Sequence, residues 1–134
     1  MKKSTQLELI TLFAIYCVGE KGTSKRVVLD FIQEHKLFSL SPTMSAQLSS
    51  RNEPVWENKI AWVRNSLARN GFLDQTPKNF WALTQKGTAH LTSLFLSFLS
   101  EAPNHTNVYL GEWFEMFSNE IASEKNPPAP SHAP

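Results

Sequence analysis

The feature that most constrains how this chain can fold is a change of hydrophobic period within residues 55–87, "VWENKIAWVRNSLARNGFLDQTPKNFWALTQKG". At a helical advance of about 100° per residue, Ile60, Val63 and Leu67 fall within about 40° of Trp56 and form one apolar stripe. Asn58, Ala61, Asn65 and Arg69 fall on the opposite face, with Trp62 on its shoulder. Gly71 is placed to end this helix in the left-handed conformation. The period then shortens. Residues 72–75 and 80–83 read as two short strands around a Thr-Pro-Lys-Asn turn, in which Pro77 presets φ and Asn79 tolerates the left-handed region. Thr84 can cap a helix, and helical spacing resumes after it.

The rest of the chain is helical in pattern. Ser4 or Thr5 opens a first helix with Leu9, Leu12, Phe13, Tyr16 and Cys17 on one apolar face, ended by Gly19 and Gly22. Thr23 and Ser24 cap a second helix to about His35, whose Val27, Val28, Phe31 and Ile32 recur at helical spacing. The "GTSK" between them can hold a very short edge strand. Residues 37–54 are rich in Ser, Thr and Asn and read as a loop with one helical turn near Met44 to Leu48. After Thr84, the residues His90, Leu91, Leu94, Phe95, Phe98 and Leu99 crowd an apolar helix that Pro103 closes. A last helix over residues 108–123 carries Tyr109, Trp113, Phe114, Phe117 and Ile121 on one face. "EKNPPAPSHAP" has the composition of a disordered tail or linker.

Helix, helix, helix, hairpin is the order of a winged helix, a helix-turn-helix variant whose third helix enters the major groove. The expected fold is therefore mainly α. A winged-helix domain with a small β-hairpin wing occupies residues 1–100, an amphipathic helix for packing or dimerisation residues 101–124, and a tail residues 125–134.

Charge separates the same parts. The net charge is only +1. Residues 1–87, however, carry twelve Lys and Arg against seven Asp and Glu, and residues 88–134 carry one against five. A basic part able to face a polyanion precedes an acidic part that would avoid one. The chain's single cysteine, Cys17, lies in an apolar run, which excludes an internal disulfide or thiolate cluster and places it in the core. Glu8 interrupts the first apolar run and no small-residue cleavage site follows it, so a core helix and a cytoplasmic protein are expected rather than a signal peptide. No apolar stretch reaches membrane-spanning length. His35, His90, His105 and His132 are dispersed without ligand spacing, and no nucleophile motif or phosphate loop occurs. No enzyme activity, metal or cofactor is expected, and His90 reads as a packing residue.

Binding chemistry concentrates on the third helix and its neighbours. Asn58 and Asn65 project from its outer face, and an Asn can pair with adenine N6 and N7. Asn58 has a second reading, ordering of the helix start. Lys59, Arg64 and Arg69 flank this face. Lys25 and Arg26 open the second helix, where backbone amides and side chains together suit a phosphate. Lys78 sits at the tip of the wing and Lys86 follows it. The Trp62 indole could meet the methyl of thymine or methylcytosine.

The residues Trp56, Asn58, Trp62, Val63, Leu67, Gly71, Phe72, Trp81, Leu83, Thr84 and Gly87, at these spacings, resemble the N-terminal domain of Mrr-type restriction endonucleases. The resemblance is close over about a quarter of the chain and looser from Leu7 to Leu91. It implies a winged-helix module that in the family usually precedes a nuclease domain cutting DNA with modified bases. It also implies that Trp62 packs and that Asn58 is structural. The nuclease requires clustered acidic residues and a lysine, which this chain does not supply; Glu112, Glu115, Glu120 and Glu124 read as the solvated face of an amphipathic helix. The chain is thus expected to be a stand-alone reader or the front of a longer protein, binding double-stranded DNA by its sequence or its modification. Its further expected partners are a nuclease domain and a second copy, paired through the apolar residues within 91–99 and 109–121. The alternative is a protein–protein interaction or dimerisation module that does not bind DNA.

Overall fold

The helix with the least exposed surface is the first, α1 (Lys3–Gly19), in a computed structural model that describes residues 1–19, 21–39, 42–47, 53–75 and 79–101 together with Val108 and Asn119. Leu7, Leu9, Ile10, Leu12, Phe13, Ala14 and Ile15 are all buried, so apolar residues cover α1 on every side rather than on the one face read from its spacing. A helix apolar all round belongs at the centre of a bundle. The α2 (Lys25–Glu34), α4 (Val55–Arg69) and α5 (Gln85–Ser100) helices all pack on it. Its buried polar groups bond locally. The Thr11 hydroxyl donates to the Leu7 carbonyl at 2.7 Å and the Gln6 amide to the Met1 carbonyl at 2.9 Å.

Helix ends follow from local chemistry. The Ser24 hydroxyl accepts the Val27 N–H at the start of α2, and the Thr84 hydroxyl accepts the Gly87 N–H at 3.0 Å at the start of α5. At the end of α4, Gly71 has φ +82°, and the N–H groups of Gly71 and Phe72 donate back to Ala68 and Leu67. This pair of bonds is a Schellman motif. The end of α2 repeats it through Lys36 and Leu37, with Lys36 in the left-handed region at φ 51°. A one-turn helix, α3 (Pro42–Ser45), starts two residues before the turn expected at Met44.

Extended structure is confined to isolated antiparallel bridges among the described residues. Leu73 pairs with Leu83, flanked by bonds from Asp74 N–H to the Ala82 carbonyl and from Thr84 N–H to the Phe72 carbonyl. Thr23, in the expected edge segment, exchanges both backbone bonds with Trp81 at 2.7 and 3.0 Å. Residues 76–78 of the expected turn lie outside the described residues. So do the expected last helix and the tail, apart from Val108, which bridges Phe38, and Asn119.

The α4 stripe packs as its spacing requires: Trp56 (4% exposed), Ile60 and Leu67 are buried and Val63 is packed against them. In α5, Leu91, Leu94, Phe95 and Phe98 are buried within the chain and Leu99 remains 40% exposed. Much of the apolar surface expected to pair two copies at residues 91–99 is thus spent inside one chain. Among the described residues, no helix is long and apolar enough to cross a membrane. Burial pushes the Cys17 thiol up to about 12, which makes it an inert packing group.

Candidate nucleic-acid interface

Packing α4 on α1 through Trp56, Ile60 and Leu67 leaves the opposite side of the helix to solvent. Lys59, Trp62, Asn65 and Arg69 are exposed there, and none makes a polar contact with another described residue. Trp62 is 61% exposed, which overturns the expectation that it packs against a helix of its own chain. It lies about 120° around α4 from Trp56, too far to reach the core. The free face is therefore turned toward Trp62 from the face of Asn58, Ala61, Asn65 and Arg69 read from spacing. Glu57 is the single carboxylate of α4 and is buried, so the free face is cationic, amide and aromatic.

Glu57 lies in the first turn of α4, where the helix dipole favours a negative charge, and it accepts both terminal nitrogens of Arg26 at 3.2 and 3.3 Å. Arg26 Nε also reaches Asp30 at 2.9 Å. These bonds, the one to Glu57 foremost, raise the already high pKa of Arg26. Lys25 Nζ stands 3.6 Å from Glu53, and its backbone N–H donates to Asn79 Oδ1 at 3.2 Å. Asn58 Nδ2 donates to Glu53 at 3.2 Å, which gives it the helix-ordering role.

Two further cations expected on the outer face or backbone are turned to structural partners. Arg64 reaches the carbonyls of Asp74 and Phe80 at 3.4 and 3.5 Å, and its guanidinium lies 5.9 Å from the centre of the Trp81 ring. Lys86 Nζ donates to the Asn70 carbonyl at 3.0 Å and lies over the Phe72 ring, answering the carbonyl end of α4. His90 is the packing residue expected of it. Its ring stacks on Phe72 with centres 4.0 Å apart, and its Nε2 stands 3.1 Å from a Glu8 oxygen, joining α5 to α1. Lys78 lies outside the described residues.

The nine described candidates thus divide. Lys59, Trp62, Asn65 and Arg69 share one open face; Lys25, Arg26, Asn58, Arg64 and Lys86 hold elements together. Sequence reasoning missed Glu53, Glu57 and Asn79, the partners that engage the basic start of α2. A carboxylate in the first turn of α4 and a basic pair at the start of α2 were the available signal.

Residues 9–93 match the Mrr N-terminal domain family. No curated protein and no solved structure matches the chain.

Proposed function

Because the chain belongs to the Mrr N-terminal domain family, we propose that it is a winged-helix module binding double-stranded DNA, with α4 in the major groove and the hairpin of residues 72–83 beside the backbone. The observation that carries this reading is the free face of α4. Solvated helices usually alternate Glu and Lys, and this one instead presents Lys59, Trp62, Asn65 and Arg69 with no exposed carboxylate. Lys59 and Arg69 suit phosphates or guanine, Asn65 suits adenine, and the Trp62 indole suits an apolar base substituent such as a methyl group. The last contact is the route by which such a module would read a modified base for a nuclease domain or partner in a restriction system.

A second reading is favoured by one observation only. An exposed tryptophan is also a frequent anchor of protein interfaces, so the same face could receive a protein or a second copy of this chain. Fluorescence anisotropy with methylated and unmethylated duplexes at two salt concentrations separates the two. DNA recognition requires binding that weakens steeply with salt. Absence of binding to any duplex at low salt would leave the protein-interface reading in its place.

A further inference from the structure

We propose that Arg64 is a positioning residue for DNA binding, one that fixes the hairpin to α4 so that both meet the duplex as one body. This inference rests on the DNA-binding reading above. Arg64 sits on α4 yet turns to the hairpin, its Nη2 donating to the carbonyl of Asp74 on one arm and of Phe80 on the other. Its Nε is buried with no hydrogen-bond partner, so the side chain is held in by this geometry rather than by complete satisfaction of its donors. The ring beneath it belongs to Trp81, whose backbone is bridged to Thr23 ahead of α2.

Other bonds tie the same two arms to the helices. Gln75 Nε2 donates to the Ala68 carbonyl of α4 at 2.7 Å, and Asn79 Oδ1 accepts the first N–H of α2 at 3.2 Å. Gln75 and Asn79 are thus each anchored to a helix, and Arg64 bonds the residue next to each of them. One terminal nitrogen, Nη2, bridges the two carbonyls at 3.4 and 3.5 Å, close to the limit of hydrogen-bond length, so a lysine ammonium on a side chain one bond shorter would fall short of both. The function of Arg64 is then to set the distance between the reading face and these two arms.

The test compares Arg64→Lys and Arg64→Met by anisotropy with a short random-sequence duplex across a salt series, together with amide exchange. A positioning role makes both variants weaken binding alike, on the order of tenfold, because neither side chain can reach both carbonyls. The amides of Asp74 and Trp81 should exchange faster in both, while those of α1 and α5 keep their protection and show that the chain is folded. If Arg64 were a phosphate ligand, Lys would keep most of the affinity and only Met would lower the salt slope, by roughly one; that result overturns the proposal. Faster hairpin exchange with unchanged affinity would leave Arg64 a stability residue only, and unchanged exchange would remove the clamp. If the wild-type chain itself binds no duplex, the DNA-binding reading fails first, and the proposal with it.

Discussion

Replacing Gly87 by Ala should reverse the usual effect of that change in a helix. Glycine to alanine inside an exposed helix ordinarily gains about 1 kcal/mol. At Gly87, an added Cβ would lie 1.9 Å from the Phe72 carbonyl oxygen and 2.8 Å from its carbon. Carbon–oxygen contacts of this kind settle near 3.3 Å, so the start of α5 would have to retreat by more than about 1 Å. The Phe72 backbone cannot swing aside freely. Its carbonyl accepts the Thr84 N–H at 3.2 Å, and the neighbouring Gly71 carbonyl accepts the Thr84 hydroxyl at 2.6 Å. Overpacking costs about 1–3 kcal/mol, and each of these two bonds, if broken, about 1 kcal/mol more. Subtracting the propensity gain leaves a net loss of about 3 kcal/mol, which in a chain of this size lowers Tm by roughly 10 °C. Thermal melting followed by circular dichroism reads the shift. Ala89→Gly, at an exposed position on the same helix, gives the ordinary propensity effect of about 1 kcal/mol for comparison. A Gly87→Ala protein that melts at or above the wild-type temperature would show that α5 is not wedged against Phe72.

Trp56→Ala should cost about 3–5 kcal/mol in urea denaturation, since its indole is buried in the core; an unchanged midpoint would mean that α4 is rotated from the position described. Lys36→Gly should gain about 1 kcal/mol, because φ 51° carries a penalty for a side chain that glycine does not have, and a lowered Tm would refute this. Asn65→Ala should leave stability intact and cost about 1–3 kcal/mol on a preferred duplex but little on random DNA; equal losses on both would make Asn65 a backbone contact. Trp62→Ala should melt like the wild type and lose any discrimination between methylated and unmethylated duplexes, so a large drop in Tm would return Trp62 to a packing role.

The parts of this fold that were legible in the sequence are those decided locally. The Trp56–Ile60–Leu67 stripe, the glycine after α4 and the hydroxyl caps of α2 and α5 depend on residues within one or two turns, and each holds in the structure. The place of α1 was not legible. Its spacing offered a credible single apolar face, and only the arrival of α2, α4 and α5 on different sides uses the remainder. The site shows the same division. Exposure of Lys59, Asn65 and Arg69 follows from their angle to the core stripe. Whether Arg26 or Arg64 is free depends on Glu57 and on the carbonyls of Asp74 and Phe80, and side-chain type says nothing of partners so distant in sequence. Trp62 stands about 120° from Trp56, an angle that already sets it outside the core stripe, and packing was implied by the resemblance alone.

The enclosure of α1 also sets a timetable for synthesis. It leaves the ribosome ahead of the three helices that cover it, and one of them, α5, ends only at Ser100. At about 5–20 residues per second, the nascent chain carries a greasy helix with an incomplete covering for roughly 4–16 s. The domain therefore completes its core only once α5 has emerged, and until then α1 offers an apolar surface to chaperones or to other nascent copies.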